Sequence, residues 1–331
     1  MASVVDGGDG GSNASEHVVI GAGPVGWTTA TMLAEGGHDV RVITRNGAGP
    51  EHPRIEPVRA DASDPAALRS ATEGAAVIYN AASPPYRRWA TDWPPLASSV
   101  LAAAESAHAV LVTVSNLYGY GPVGHAMVET DPLAATSIKG RVRAQVWRDA
   151  LAAHDAGRVR VTELRSSDYF GPRVLSSQIG DRIVPKVLAG KPVSVLGDPD
   201  APHSWTYITD VARALIALGG DERAWGRAWH TPTNAPISQR QFVDALSDAA
   251  NGEHVKVRSV PPVMLQVLGI FVPDLRELPE IRYQFDDPFV VDSTDARTTF
   301  GLEPTPMESA LHETITWYRS RATTEVVAGA H

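Results

Sequence analysis

In the stretch TSIKGRVRAQVW, residues 136–147, a lysine and an arginine stand four residues apart, Lys139 and Arg143. On a helix that spacing puts both on one face. The ammonium of such a pair can give a proton or stabilise an oxyanion. It is equally the pattern of a solvated surface. Other groups able to do acid–base work lie where strands are predicted to end. Ser115 and Asn116 close AVLVTVSN, Tyr118 and Tyr120 follow in LYGYGP, and Asp168 and Tyr169 follow VRVTELRSS. His203 stands in DAPHSWTY. Strand-end capping, aromatic packing and a buried polar anchor are the structural roles open to the same residues.

Composition narrows the chemistry. The 331 residues contain no cysteine, so thiolate nucleophiles, disulfides and cysteine-ligated zinc are excluded. The 11 histidines show no H-x-x-x-H or H-E-x-x-H spacing, and no metal is expected. A formal charge of −9 without a basic cluster speaks against nucleic acid or an anionic membrane as partner. No apolar run reaches the length of a membrane span. Residues 1–16, MASVVDGGDGGSNASE, read as a disordered tail rather than a secretory signal, and the cytoplasm is the expected compartment. A second tail is expected over 321–331.

These side chains must be positioned by an α/β scaffold. HVVIGAG, DVRVITR, AAVIYNAA, AVLVTVS and VRVTELRSSD read as strands, with Ala-rich helices between them and a helix from about Ile138 to Ala156. That alternation predicts a doubly wound parallel sheet over residues 17–175, with ligands at the strands' carboxyl ends. Beyond 175, Pro-rich connectors separate short elements. Residues 176–320 are expected to form a smaller α/β substrate-binding part, with a soft boundary that can return an element to the first domain.

A dinucleotide site is the clearest motif. Gly21, Gly23 and Gly26 have G-x-G-x-x-G spacing between a strand and a helix, with Pro24 and Val25 opening that helix. The first glycine permits the turn, the second a close pyrophosphate, and the third close helix–strand packing. The second strand ends in Thr44, Arg45 and Asn46, with no carboxylate to accept from a ribose 2′-hydroxyl. Arg45 can pair with a 2′-phosphate, so NADP(H) is expected ahead of NAD. Asp61 in VRADASD can accept from an adenine amino group, and Ala81 and Ala82 in YNAAS leave room along the nucleotide path.

From about Val18 to Trp317 the chain resembles the extended and atypical short-chain dehydrogenase/reductases, the NAD-dependent epimerase/dehydratase family. The likeness rests on the glycine motif, SNLYGYGP, LRSSDYFGPR and HSWTYITDVARAL, in that order. It implies a Rossmann domain, a small C-terminal substrate domain, and a homodimer built from two long helices per subunit. It also implies that Ser167 and Tyr169 line the nicotinamide, and that Asn116, Tyr118, Tyr169 and His203 lie on the substrate side. His203 falls where sugar-nucleotide relatives often carry arginine, and a histidine grips a diphosphate less well than a guanidinium fork. The family's Tyr-x-x-x-Lys is missing. Lys139 aligns with the tyrosine and Arg143 with the lysine. Lys139, Ser115, Tyr120 and Arg143 are therefore the candidate catalytic set, with Tyr120 ahead of Tyr118 as a hydroxyl donor. The activity expected first is NADP(H)-dependent reduction of a carbonyl, or oxidation of an alcohol, on a small organic substrate such as a secondary metabolite. A nucleotide-sugar epimerase or dehydratase, a redox-neutral isomerase or cyclase, and a non-catalytic NADP(H) sensor are the alternatives.

Overall fold

In the computed structural model, which describes residues 16–261, 264 and 278–328, apolar strands alternate with helices from the first described residues. In chain order these are β1 (His17–Ile20), α1 (Pro24–Glu35), β2 (Val40–Thr44), β3 (Ile55–Arg59), α2 (Pro65–Ala71) and β4 (Val77–Asn80). There follow α3 (Trp89–Ala107), β5 (Val110–Asn116), α4 (Ile138–Asp155) and β6 (Arg160–Ser166). These six strands and a later one, Ala228–His230, form a seven-stranded sheet. All its pairings are parallel, in the order (Ala228–His230)-β6-β5-β4-β1-β2-β3. The order reverses between β1 and β4, which opens a crevice at the carboxyl ends of those strands.

Strand alternation explains the layering. Val18, Ile20, Ile78, Leu111 and Val161 pack with residues of α2, α3 and α4, while Val19, Val42, Val112 and Leu164 pack on the α1 side. Each such side chain contributes about 1.5–3 kcal/mol by burial, against about 0–1 kcal/mol for an exposed ion pair. Hydrophobic layering therefore sets the sheet, and the sheet sets the site.

The second half is built from small pieces: β7 (Asp168–Phe170), α5 (Val184–Leu188), β8 (Val193–Val195), β9 (Pro202–His203), β10 (Trp205–Tyr207) and α6 (Ile208–Gly220). They continue as β11 (Ala228–His230), β12 (Ile237–Ser238), α7 (Gln239–Ala249), β13 (Val257–Ser259), α8 (Leu278–Ile281), α9 (Tyr283–Asp286), α10 (Thr294–Phe300) and α11 (Met307–Ala328). β11 returns to the large sheet beside β6, while β7/β10, β8/β13 and β9/β12 pair separately. Helix α11 continues to Ala328, where the sequence suggested a tail. The tail expected over 1–16 lies, but for Glu16, outside the described residues, as does most of the connector at 262–277. Among the described residues no helix is long and apolar enough to cross a membrane.

Helix α3 starts at Trp89 and contains Pro94 and Pro95. Trp89 and Trp93 are buried, and their burial offsets the backbone hydrogen bonds that two prolines remove.

Two buried histidines make stability depend on pH. His17 starts β1 against Tyr79 Oη at 3.3 Å, and burial and His38 lower its pKa to about 4. Burial likewise lowers His230 to about 4. Both stay neutral in the folded chain while the unfolded chain takes up protons below about pH 6.5. Stability is therefore lost as pH falls from about 6.5 towards 4, by about 3 kcal/mol per group when the drop is complete. Thermal melts across this window should show the loss, and His17→Asn should remove about half of it.

Candidate active site

The β1–α1 turn is a cradle shaped by its glycines. Gly21 has φ +95°, and a Cβ there would meet the Ala81 and Ala82 backbone at 3.0 Å. A Cβ on Gly26 would lie 1.9 Å from the Gly21 carbonyl oxygen, whereas one on Gly23 would meet nothing within 4 Å. The turn is thus closed toward β4 and open at Gly23. Gly23 caps α1, Pro24 opens it, Val25 is buried, and the first turn carries no acidic residue. Free N–H groups there suit an anion. At the end of β2, Thr44 Oγ1 is used locally, donating to the Ala48 carbonyl. Arg45 is exposed. Asp61 accepts from the Ser63 N–H and hydroxyl, bonds that hold its carboxyl below the usual range, with Arg45 adding a smaller pull.

On α4, Lys139 and Arg143 are 3% and 4% exposed, which removes the solvated-face alternative. Arg143 stacks over Trp93 at 4.3 Å and donates through Nη2 to the Val114 carbonyl at 2.6 Å. Burial lowers its pKa, against an opposing pull from Glu163 and Tyr169. Its Nε and Nη1 are buried and have no protein partner, and the same is true of Ser167 Oγ. Orphaned donors of this kind cost about 1–3 kcal/mol each unless something fills the space. A nicotinamide ribose, which offers hydroxyls, fits them.

Lys139 is held by a residue that sequence reasoning missed. Glu280 from α8 accepts from Lys139 Nζ at 2.7 Å and from the Lys139 backbone N–H at 2.8 Å. Burial pushes the Glu280 carboxyl up, but the Lys139 bonds outweigh this and leave it below its ordinary value. Lys139 Nζ also lies 4.5 Å over the Tyr86 ring. Tyr118 sits beside Tyr86, within electrostatic reach of Asp168 and Tyr283, and burial pushes its hydroxyl far up. No spacing rule links Glu280 to Lys139 across 141 residues.

Other expected residues are placed differently. Ser115 is buried at the end of β5, and Asn116 Oδ1 accepts the Tyr118 N–H. Tyr169 is partly buried, and burial raises its pKa, against smaller opposing pulls from Ser166 and Arg143. Tyr120 does not serve the cleft as a hydroxyl donor. It is 2% exposed, receives a bond from Arg165 Nη1 at 2.7 Å and lies 2.8 Å from His230 Nε2. Burial pushes it up to about 12. His203 does not face a substrate either. It is 2% exposed, bonded to Asp168 and to the Gln284 carbonyl, and packed among Trp205, Phe285 and Phe289.

A doubly wound sheet with a glycine cradle and unpaired donors beyond it defines a dinucleotide-binding protein. Residues 17–225 match the model of the NAD dependent epimerase/dehydratase family, and the chain belongs to that family. It is 26% identical over 66% of its length to a dTDP-glucose 4,6-dehydratase of Streptomyces griseus. It is 25% identical over 55% to an uncharacterised UDP-glucose epimerase of Bacillus subtilis. The chain spans about three fifths of these relatives, 61% and 60%. Among solved structures, it resembles Bacillus anthracis dTDP-glucose 4,6-dehydratase in complex with NAD (TM-score 0.74, 18% identity, 93% of this chain and 97% of that one). It also resembles Thermotoga maritima UDP-glucose 4-epimerase with UDP-glucose (TM-score 0.76, 18% identity, 93% and 99%).

Proposed function

We propose that the chain is a nicotinamide-dependent enzyme of the epimerase/dehydratase type, acting on a secondary alcohol or ketone carbon of a nucleotide sugar. The observation that carries this is the buried pair Lys139/Arg143 on α4, with Arg143 Nε and Nη1 unpartnered. The sugar-nucleotide relatives support the substrate class. Bound in the cradle, the dinucleotide supplies a hydride acceptor or donor. Arg143 and Ser167, whose buried polar atoms have no protein partner, would hold its nicotinamide end. Lys139, oriented by Glu280, carries the proton that an alcohol loses or an alkoxide gains. The test is incubation with dTDP-glucose or UDP-glucose and NAD⁺ or NADP⁺, followed by detection of a keto-sugar or epimer.

A second reading, reduction of a carbonyl on a small organic substrate, draws on His203. The position that would grip a diphosphate holds a ring sealed in an aromatic box. NADPH oxidation with a ketone panel, and no turnover of any nucleotide sugar, would favour it.

For the cofactor, the NAD complex of the Bacillus anthracis relative supports NAD. The chain's own β2 end, with exposed Arg45 and no carboxylate, supports NADP. If NADP is used, Arg45→Ala weakens NADPH about tenfold or more and leaves NADH unchanged, because a charge-assisted bond contributes about 1.5–3 kcal/mol. Fluorescence titration reads both, and a wild-type preference for NADH would assign NAD. We also infer a homodimer through α3 and α4. Ile138 is 55% exposed there, beside a groove of about 540 Å³ lined by Leu101, Val142 and Val146. Sedimentation velocity should give a two-chain mass.

A further inference from the structure

His203 and His230 meet the same choice and resolve it differently. His230 Nδ1 lies 2.8 Å from the Asp292 carbonyl oxygen, so that nitrogen carries the hydrogen. Its Nε2 then accepts from the Tyr120 hydroxyl, which in turn accepts from Arg165. A neutral ring satisfies every contact. His203 Nδ1 lies 3.1 Å from the Gln284 carbonyl oxygen, so it too carries the hydrogen. Its Nε2, however, is 3.0 Å from Asp168 Oδ2. A neutral ring would set a lone pair against a carboxylate. The contact closes only with one more proton, on the ring or on the acid.

The surroundings hold this arrangement in place. Phe285 stacks on the His203 ring at 5.3 Å and 8°, and Trp205 and Phe289 pack on it at 4.3 and 5.3 Å. Asp168 is 22% exposed, unlike its partner at 2%. It begins β7 just beyond β6, within electrostatic reach of Tyr118 and Tyr169. The groups facing the pair are Tyr118 from the loop after β5, Tyr169 of β7, the Gln284 carbonyl of α9, and the three aromatic rings. Among the described residues, none of these groups is charged at neutral pH.

We propose that Asp168 and His203 share one proton, and that the partly exposed Asp168 passes it to and from the substrate as an acid–base group in addition to Lys139. The transfer step rests on the hydride-transfer reading above. In it the carboxylic O–H bond breaks, its electron pair stays on Asp168, and a substrate oxygen gains the proton. The bare carboxylate then faces the Nε2 lone pair, which drives proton re-uptake. Reduction of a carbonyl alone needs one donor. Two proton-carrying groups suit chemistry in which a second proton is also lost, gained or moved on the substrate.

The direct test is ring ¹⁵N NMR of [¹⁵N]histidine-labelled protein between about pH 6 and 8, with His203 assigned by its loss in His203→Gln. The expected state is an imidazolium, or an Nδ1–H ring whose Nε2 accepts a strong hydrogen bond. Asp168→Asn, whose amide can still donate to Nε2, should convert it to an ordinary neutral Nδ1–H ring. Should His203→Gln not fold, the signal that changes in Asp168→Asn makes the assignment. A neutral wild-type ring protonated on Nε2, or one indifferent to Asp168→Asn, overturns the proposal. In the dTDP-glucose assay, Asp168→Asn should lose turnover by about 100-fold or more, with cofactor affinity within about twofold. Undiminished turnover would refute the transfer step. A shared proton in a wild-type protein with no turnover would instead refute the functional reading and the transfer with it, leaving the pair intact.

Discussion

Replacing Lys139 with methionine is expected to lower kcat by about 10²–10⁴-fold while the dinucleotide still binds, since a positioned acid–base group contributes that much. The geometry favours a clean result. Glu280 Oε1 bonds the backbone N–H of residue 139, which any side chain there retains. Methionine replaces the buried aliphatic stem but leaves Glu280 Oε2 without its ion partner, so thermal melts accompany the kinetics. Lys139→Arg separates the two roles open to the ammonium. Arginine keeps the charge but does not give up its proton. If Lys139 only stabilises an oxyanion, arginine restores most activity; if it moves a proton, Lys139→Arg is as inactive as Lys139→Met. Single-turnover hydride transfer, followed by nicotinamide absorbance, reads either outcome.

Gly26→Ala is expected to weaken dinucleotide binding by about 100-fold or more. The new methyl carbon would lie 1.9 Å from the Gly21 carbonyl oxygen, and backbone on both sides cannot yield as a flexible side chain can. The turn must open, which moves Gly21 off its contact with Ala81 and Ala82 and tilts the first turn of α1. The phosphate-binding N–H groups then lose their convergence. Gly23→Ala meets no atom within 4 Å in the protein itself. It should leave the melting temperature near wild type and weaken only the dinucleotide. That contrast, read by calorimetric titration beside thermal melts, separates a packing glycine from a ligand-facing one.

The sequence carried the scaffold because the scaffold is local. Alternating apolar runs, a glycine turn between β1 and α1, and a helix whose observed span is Ile138–Asp155 all depend on neighbours within a few residues. The i, i+4 spacing of Lys139 and Arg143 likewise fixes a common face. Whether that face was wet or buried was not legible, because Trp93 and Glu280 arrive from distant segments. Tyr120 shows the same limit. A tyrosine in a Gly-rich turn looks available, and only the fold brings Arg165 and His230 to its hydroxyl. His203 was misplaced for a related reason. Its partners Asp168 and Gln284 are 35 and 81 residues away. Pro94 and Pro95 each remove a helix hydrogen bond, and tertiary burial of Trp89 and Trp93 prevails over that local cost.

The central claim is that a nicotinamide dinucleotide lies along the crevice with its ribose against Arg143. Titration of NADH and NADPH into wild-type and Arg143→Leu protein tests it most directly, with thermal melts confirming that the variant is folded. Saturable binding of at least one reduced cofactor is expected, with a loss of about tenfold or more in the variant, whose buried donors are gone. No binding of either cofactor, or equal affinity in a folded Arg143→Leu protein, would contradict it.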